Sequence, residues 1–168
     1  SKEDEKAYGE LILELQKLEK EVRNISHELK SDWLTSNQNF DSVIKLLIEK
    51  QRITNNIEHK LHIDKSINWH QLDGTIKINT YRIIQEALQN CQKYAQATSV
   101  KIRFTRKEKT LILEVEDDGC GFELKKNRDG IGLSNINSRT KKMHGSCIIE
   151  SKLNKGTSIK LNIPKAFK

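Results

Sequence analysis

Apolar residues near the amino terminus recur at alternating intervals of three and four positions, from Tyr8 to Leu29. The intermediate members of this repeat are Leu11, Leu15, Leu18, Val22 and Ile25. A mean period of about 3.5 residues is typical of helices that pack against other helices in a coiled coil or bundle. The pattern therefore predicts a long bundle-forming helix over residues 1–31, and the polar stretch after it predicts a linker over residues 32–40.

The remaining residues, 41–168, show helical and strand-like periods in turn. Asp41 and Asp73 are candidate N-caps, and apolar positions at helical spacing follow each of them. The apolar face of the first helix would consist of Val43, Ile44, Leu47, Ile48 and Ile53, and that of the second would include Ile76, Ile84, Ala87, Leu88, Cys91 and Ala95. A third helix is predicted from Gly130 to about His144.

Alternating apolar residues predict five strands in the same region. Three of them cover residues 57–63, 100–104 and 111–115, and the basic stretch Arg106–Lys109 would join the second to the third as a hairpin loop. The last two lie at about Ser146–Ser151 and Thr157–Ile163. This order of elements predicts the α+β class, with a two-layer α/β sandwich that places helices on one face of a mixed sheet.

Charge and composition narrow the function classes. The 168 residues carry a net charge of +7, but the lysines are scattered among glutamates and do not alternate with aromatic residues. This distribution argues against a nucleic-acid partner. The three separated cysteines form no CxxC pair, which argues against a zinc site or disulfide framework and favours a reducing, cytoplasmic location. No apolar run is long enough to span a membrane, so we expect any membrane anchor to precede residue 1.

Polar side chains on the second predicted helix are the first candidates for chemistry. Glu86 and Asn90 are four residues apart, so both project from the same helix face. A carboxylate at Glu86 suits a group that orients or deprotonates a nucleophile, and the amide oxygen of Asn90 suits magnesium, which prefers oxygen ligands. Lys93 adds a positive charge about one turn later, and Tyr94 follows it.

A glycine-rich turn supplies the second candidate. The stretch Asp118–Gly121 follows a hydrophobic strand, and we read it as a DxGxG motif whose acid is Asp118. Gly119 and Gly121 would let a ligand approach the backbone closely. An ionised carboxylate accepts a hydrogen bond from an exocyclic amine such as that of adenine, whereas it would repel the oxygen that guanine presents at the same place.

Two further glycine motifs lie at the start of a helix and of a strand. The first consists of Gly130, Ile131, Gly132 and Leu133. Free N–H groups at a helix start favour phosphate, but this motif lacks the third glycine of a dinucleotide-binding fingerprint and the lysine of a P-loop. The second is Gly156-Thr157, where a threonine hydroxyl could complete the floor of a polar pocket.

In this order, the four motifs resemble the nucleotide site of the GHKL (Bergerat-type) fold, which gyrase-type ATPases, heat-shock-90 chaperones, histidine kinases and mismatch-repair ATPases share. The resemblance implies that ATP and magnesium are bound, with Asn90 holding the metal and Asp118 the adenine amine. It also implies that Gly130 and Gly132 border a lid over the phosphates and that Thr157 supports the adenine. The rest of the implied ATP-binding set is Lys93, Tyr94, Gly119, Gly121, Ile131 and Leu133.

The stretch Tyr81–Asn90, followed by Lys93–Ala97, resembles sensor histidine kinases of bacterial two-component systems, in the branch that pairs with nitrate-response-type regulators. The resemblance implies a protein-histidine kinase with Glu86 as its catalytic base, a response regulator as partner, and a homodimer formed through the amino-terminal helix. Eight residues separate Gly121 from Gly130, which fits the short lid of that branch.

His27 lies in a stretch, Ser26–Ser31, that resembles the phosphoacceptor box of the commoner kinases. However, Asp32 stands where that family has proline, and His27 precedes Asn90 by only 63 positions, too few for a second bundle helix. We therefore expect the phosphoacceptor upstream of residue 1 and a chain that binds nucleotide without phosphorylating itself. His27 is the alternative acceptor.

Two other kinds of function are alternatives to a histidine kinase. A stand-alone ATPase or an anti-sigma-type serine/threonine kinase would keep the fold, although neither requires the heptad helix. A non-catalytic dimerisation or partner-binding module would not require Glu86, Asn90 and Asp118 together. Calorimetry with Mg-ADP would distinguish this last alternative from a nucleotide-binding enzyme.

Overall fold

A computed structural model describes residues 40–54, 56–123 and 131–168. The helices in these ranges are α1 (Phe40–Thr54), α2 (Gly74–Asn90) and α3 (Ile131–Lys142). The strands are β1 (Glu58–Ile63), β2 (Ser99–Lys107), β3 (Thr110–Asp117), β4 (Ser146–Ser151) and β5 (Thr157–Ile163). A short 3-10 turn, Trp69–Gln71, precedes α2, and a π-helical turn, Cys91–Ala95, continues it.

The strands form one mixed sheet in the order β1-β2-β3-β5-β4. β1 and β2 are parallel, and the other neighbours are antiparallel. A parallel pair needs a crossover connection, and α2 supplies it. In the register between β3 and β5, Asp117 lies opposite Thr157. The carboxyl end of β3 is therefore held beside the start of β5, where two of the sequence motifs meet.

The sheet buries one face against the helices. Leu111, Leu113 and Val115 alternate along β3 and are all buried. The opposite face is mostly polar: Glu114 forms ion pairs with Arg103 at 2.9 Å and with Lys160 at 2.7 Å. The predicted α+β class, a two-layer sandwich with helices on one face of a mixed sheet, is thus confirmed.

The helix α2 begins at the N-cap that the sequence predicts. The Asp73 carboxylate accepts a hydrogen bond of 2.7 Å from the backbone N–H of Thr75, which satisfies one of the free donors of the first turn. At the other end, Gln96 adopts a left-handed conformation with φ of 51° and stops the π-helical turn.

The helices α2 and α3 pack side by side and run in opposite directions. Gly132, near the start of α3, lies against Glu86 in the last third of α2. Met143, just after α3, accepts a hydrogen bond at 3.8 Å from the hydroxyl of Thr80 in the first half of α2. This antiparallel arrangement brings the beginning of α3 to the end of α2 that carries the candidate polar residues.

Two sequence-based expectations for α1 are wrong. The helix begins at Phe40, so Asp41 lies inside its first turn and pairs with Lys45 at 3.0 Å; Asp41 is not the N-cap. Ile53 is 85% exposed and does not belong to the buried face. At about 100° per residue, the nine positions after Ile44 carry Ile53 to the opposite side of the helix.

The predicted hairpin loop is also shorter than expected, because β2 extends to Lys107 and β3 begins at Thr110. The heptad helix over residues 1–31, His27, the linker up to residue 39 and the lid with Gly130 lie outside the described residues. In the part of the chain that is described, no helix combines the length and the apolar character that a membrane span requires.

Candidate functional site

The start of α3 lies directly against the polar end of α2. A Cβ atom at Gly132 would collide with Oε1 of Glu86 and lie 3.2 Å from Nδ2 of Asn90. Glycine at this position thus leaves room for both side chains. The two side chains lie on one face of α2, as their spacing of four residues predicts. Glu86 and Asn90 are both partly exposed, so the two polar heads lie together where a ligand can reach them.

Magnesium fits this pair. Glu86 offers a carboxylate and Asn90 an amide oxygen, and Mg²⁺ is commonly bound by one or two such protein oxygens together with substrate phosphates and water. The beginning of α3, one residue before Gly132, also presents backbone N–H groups that favour phosphate. The side chains and the helix start therefore provide what a magnesium nucleotide requires at its phosphate end.

A half-buried carboxylate, Asp117, lies at the carboxyl end of β3. Burial raises the pKa of Asp117 above its ordinary value, the backbone N–H groups of Gly119 and Thr157 lower it, and the neighbouring Asp118 raises it further. The Gly119 N–H donates to Oδ1 of Asp117 at 2.9 Å. Asp117 continues the alternation of Leu113 and Val115 and so faces the helix side of the sheet.

The next residue, Asp118, does not fit the role that the sequence suggested for it. Its carboxylate accepts hydrogen bonds from the backbone N–H groups of Thr98 and Ser99 at 2.8 and 2.9 Å and from the Thr98 hydroxyl at 2.5 Å. These bonds lower the pKa of Asp118. Asp118 is exposed and already saturated with donors that fix the loop before β2. The acid of the DxGxG spacing is Asp117, which precedes Gly119 by two residues and Gly121 by four.

Residues of the last two strands surround Asp117. The Ser151 hydroxyl lies 3.0 Å from the Thr157 hydroxyl and 3.1 Å from the carbonyl oxygen of Gly156. It also accepts a hydrogen bond of 2.9 Å from the backbone N–H of Phe122. Gly156 has a φ of +75° and packs so closely on the Asp117 carbonyl that a Cβ would collide with it. These contacts bring the Gly156-Thr157 motif directly onto the acid at the end of β3.

A cavity of about 530 Å³ opens beside Asp117 and Thr157. Its other walls are Glu116, Glu150, Ser151, Lys152, Lys155, Gly156 and Ser158. Because Glu116 and Ser158 are on the sheet face opposite the helices, the cavity extends around the strand ends. Glu86 and Asn90 are not among the described residues that line it. It therefore marks open space at the Asp117 end of the site and not at the Asn90 end.

The two ends of the site are joined by the π-helical turn after α2. The Cys120 N–H donates to the Ala95 carbonyl at 2.6 Å, and the Cys120 thiol contacts the Tyr94 carbonyl at 3.3 Å. Burial raises the pKa of Cys91 to about 12, and the charges of Asp117 and Asp118 raise it as well. Cys91, the residue after Asn90, is thus close enough to Asp117 to respond to its charge. The Asn90 end and the Asp117 end of the site therefore lie at one edge of the sandwich.

The other sequence candidates lie around this edge. Gly119 packs on the backbone of Ala95, and Gly121 packs on the carbonyl of Lys152. Lys93 is exposed, and Tyr94 is 70% exposed. Ile131 begins α3 and Leu133 is half-buried within it, whereas Gly130 lies outside the described residues.

Sequence reasoning missed three polar residues of this region: Asp117, Ser151 and Arg139 in its contact with α2. The inward parity of β3 would have indicated Asp117. Arg139 is half-buried on α3 and donates to the side-chain oxygen of Asn79 on α2 at 3.4 Å. Its position depends on how two helices pack, and the local pattern does not reveal this.

Replacing Gly132 by alanine should weaken Mg-ADP binding about tenfold while leaving the protein folded. The new methyl group would displace the ends of two flexible side chains, Glu86 and Asn90, and alanine favours helix over glycine by up to about 1 kcal/mol. Calorimetric titration and a thermal melt measure the two effects. Gly74→Ala is the matched control, since a Cβ there meets nothing within 4 Å. Equal affinities in both variants would contradict the prediction that Glu86 and Asn90 lie at the phosphate end of a bound nucleotide.

The chain is similar in sequence and in fold to known ATPases. Residues 75–166 match the family model described as histidine kinase-, DNA gyrase B- and HSP90-like ATPase. The oxygen sensor histidine kinase NreB of Staphylococcus carnosus is 32% identical over 148 residues, which cover 86% of this chain and 41% of NreB. The sensor histidine kinase ComP of Bacillus subtilis is 31% identical over 145 residues, which cover 84% of this chain and 18% of ComP. The chain thus spans less than half of either relative.

The solved structure of the histidine kinase AdeS of Acinetobacter baumannii superposes with a TM-score of 0.64 at 14% identity, covering 92% of this chain and 80% of that one. At this identity the likeness concerns the fold. The family model, by contrast, matches more than half of the 168 residues, including α2, the glycine turn after β3 and the start of β5. The chain therefore belongs to the family of histidine kinase-, DNA gyrase B- and HSP90-like ATPases.

Proposed function

We propose that this chain contains the ATP-binding catalytic domain of a two-component sensor histidine kinase. The domain binds Mg-ATP, transfers the γ-phosphoryl group to a histidine on a bundle helix, and so provides phosphate for a response regulator. The observation that carries the proposal is the junction at one edge of the fold. There, the Glu86–Asn90 pair lies against the start of α3, and the π-helical turn connects it to the acid at the end of β3.

Within this proposal, the adenine amine donates to Asp117 and not to Asp118. Asp117 is half-buried and faces the helix layer, whereas Asp118 is occupied by Thr98 and Ser99. Thr157 supports the adenine, because its backbone N–H and hydroxyl lie beside Asp117 and Ser151.

At the phosphate end, Asn90 would hold magnesium, whose charge would neutralise that of the β- and γ-phosphates when it is bound. Glu86 orients the attacking nucleophile or accepts its proton. Lys93, one turn later and exposed, adds a positive charge for the phosphates. Gly132 marks the base of the lid. Catalysis in this arrangement consists mainly of positioning and charge stabilisation.

Calorimetry tests the nucleotide part of the proposal. Mg-ADP should bind the wild-type chain, and Mg-GDP should bind much more weakly, because guanine presents an oxygen to Asp117. Absence of heat with both nucleotides would instead support a module that has lost its nucleotide site. Equal binding of both would overturn the assignment of Asp117 to the base.

A labelling experiment tests the acceptor. We propose that the phosphorylated histidine is not His27 and that the active kinase is a homodimer formed through its bundle helices. Incubation with γ-labelled ATP should then leave no acid-labile label on this chain, although the chain binds nucleotide. Label that disappears in His27→Gln would show that His27 is the acceptor. Acid-stable label on a partner protein would favour a serine/threonine kinase.

Nucleotide affinity should fall on acidification, beginning at a higher pH than an ordinary aspartate would produce. Asp117 accepts the amine only when ionised, and burial raises its pKa, so its ionised fraction drops as pH falls through that raised value. The Mg-ADP affinity measured between about pH 4 and pH 8 reports this. Asp118→Asn should keep the acid dependence, shifted to a lower pH because the charge that raises the pKa of Asp117 is gone, and Asp117→Asn should lose the part of the acid dependence that is due to Asp117. An unchanged profile in Asp117→Asn would contradict the assignment.

A further inference from the structure

Three polar side chains form a row across one end of the sheet. In the register of the last three strands, Asp117 lies opposite Thr157, and Thr157 lies opposite Ser151. Residues that pair directly across a sheet lie on the same face, so all three side chains belong to the face that carries the helices. Ser151 ends this row on β4, at the edge of the sheet.

The Ser151 hydroxyl has three polar neighbours. It accepts a hydrogen bond of 2.9 Å from the backbone N–H of Phe122 and donates one of 3.1 Å to the carbonyl oxygen of Gly156. It also lies 3.0 Å from the Thr157 hydroxyl. A serine hydroxyl has one hydrogen to donate and two lone pairs with which to accept. The three contacts therefore use the whole hydrogen-bonding capacity of Ser151.

These contacts determine the direction of the hydrogen bond between the two hydroxyls. The carbonyl oxygen of Gly156 has no hydrogen, so the single hydrogen of Ser151 is donated to it. The remaining contact then needs the hydrogen of Thr157, donated to Ser151. Any other assignment leaves one of the three contacts without a hydrogen. The oxygen of Thr157 thus keeps lone pairs for the site but has no hydrogen to offer there.

We propose that Ser151 is a positioning residue that sets the base specificity of the site, because it makes the Thr157 hydroxyl an acceptor beside the Asp117 carboxylate. The proposal rests on the function proposed above, in which Asp117 and Thr157 bind the adenine end of the nucleotide. Two acceptors side by side favour a group that donates, such as the exocyclic amine of adenine. They disfavour a base that has an oxygen at that place. Ser151 acts through Thr157 and not by contact with the nucleotide.

The fold around Ser151 does not depend on its hydroxyl alone. The backbone N–H of Asn154 donates to the carbonyl of Cys120 at 2.6 Å, and Gly121 packs on the carbonyl of Lys152. Both contacts join the turn after β4 to the glycine turn after β3, and both use backbone atoms that are unchanged in Ser151→Ala. We therefore expect this variant to fold, and a thermal melt checks it.

Base discrimination tests the proposal. Calorimetry compares Mg-ADP with Mg-IDP, the inosine nucleotide whose base carries an oxygen in place of the adenine amine. The wild-type chain should prefer Mg-ADP. In Ser151→Ala, the Thr157 hydroxyl can turn and donate to that oxygen, so the ratio of the two affinities should narrow roughly three- to tenfold, the effect of one neutral hydrogen bond. An unchanged ratio would overturn the proposal, even if both affinities fell together.

Two single variants serve as controls. Ser151→Thr keeps a hydroxyl at this position and should retain most of the wild-type ratio. Ser146→Ala removes an exposed hydroxyl from the other end of β4 and should leave the ratio unchanged. If Ser151→Thr narrowed the ratio as much as Ser151→Ala, the hydroxyl would not be responsible, and the proposal would be wrong.

The double variant Ser151→Ala/Thr157→Val decides whether Ser151 acts through Thr157. Valine has nearly the shape of threonine but lacks the hydroxyl. The ratio of the two affinities in the double variant should equal that in Thr157→Val alone, since Ser151 has no hydroxyl left to orient. A further narrowing in the double variant would contradict this route.

Hydrogen exchange of the nucleotide-free chain keeps the test independent of the proposed function. The amide of Phe122 should exchange at least about threefold faster in Ser151→Ala, because its acceptor is gone, whereas the amide of Asn154 should be unchanged. Equal exchange at Phe122 in both proteins would show that the Ser151 network does not exist. If the wild-type chain binds neither nucleotide, the proposed function fails and the specificity role with it, even where Phe122 behaves as expected.

Discussion

Asp117→Asn should weaken Mg-ADP binding roughly 10- to 100-fold, because hydrogen bonds to charged groups contribute about 1.5–3 kcal/mol. Asparagine has nearly the same size, but it replaces one acceptor oxygen with a donor that would face the adenine amine. The wild-type carboxylate accepts hydrogen bonds from the N–H groups of Gly119 and Thr157. In the variant, these two donors would have only the one amide oxygen as an acceptor. Calorimetric titration of the purified variant measures the loss directly.

The matched control is its neighbour. Asp118→Asn removes the same charge one residue later, so it changes the electrostatic potential of the site by a similar amount. We expect its affinity for Mg-ADP to remain within about threefold of wild type. Its melting temperature should fall, since the side chain loses an acceptor for Thr98 or Ser99. A large loss of affinity in Asp118→Asn, with little change in Asp117→Asn, would restore the sequence-based assignment.

Gly156→Ala should destabilise the folded protein by about 3 kcal/mol or more, which is large for a single substitution. Gly156 has a φ of +75°, a conformation that L-amino acids rarely adopt, and a Cβ would collide with the backbone carbonyl of Asp117. Because the colliding atom belongs to the backbone of β3, the strand pair itself must shift. Chemical denaturation measures the free energy of unfolding.

Lys155→Ala is the control for that experiment. Lys155 occupies the same turn and is exposed, so its substitution should change the free energy of unfolding by less than about 0.5 kcal/mol. Since Gly156 also borders Asp117, we expect any folded Gly156→Ala protein to bind Mg-ADP poorly. A variant as stable as wild type would mean that the turn between β4 and β5 relaxes more readily than its contacts suggest.

The limits of β4 and β5 could be read from the sequence, whereas β2 extends to Lys107, beyond its predicted end. Alternation has a short period, Gly145 comes directly before β4, and Asn154–Gly156 marks the turn between β4 and β5. The prediction of the buried face of α1 was less accurate, because apolar residues occur on both sides of that helix: Leu46 is 67% exposed and Ile53 is 85% exposed. Which side is buried depends on the sheet beneath, and the helical period alone does not specify it.

At the candidate site, too, some features could be predicted from the sequence and others could not. The pairing of Glu86 with Asn90 on one helix face was predictable from their spacing, and the structure adds Gly132 as the neighbour that leaves space for them. The choice between the adjacent acids Asp117 and Asp118 was wrong, although the register of β3 contained the answer. Adjacent residues on a strand face opposite sides. Only the acid in phase with Val115 faces the helix layer.

In the proposed function, Asp117 and Asn90 bind opposite ends of one magnesium nucleotide. Nuclear magnetic resonance of the chain with ADP and trace Mn²⁺ tests it most directly, because the paramagnetic ion broadens signals near the metal, whereas the nucleotide also shifts signals around the base. We expect broadening to be strongest at Glu86, Asn90 and Gly132, and shifts without the strongest broadening at Gly119 and Thr157. Broadening centred on Asp117, or shifts at only one of these two places, would contradict the account.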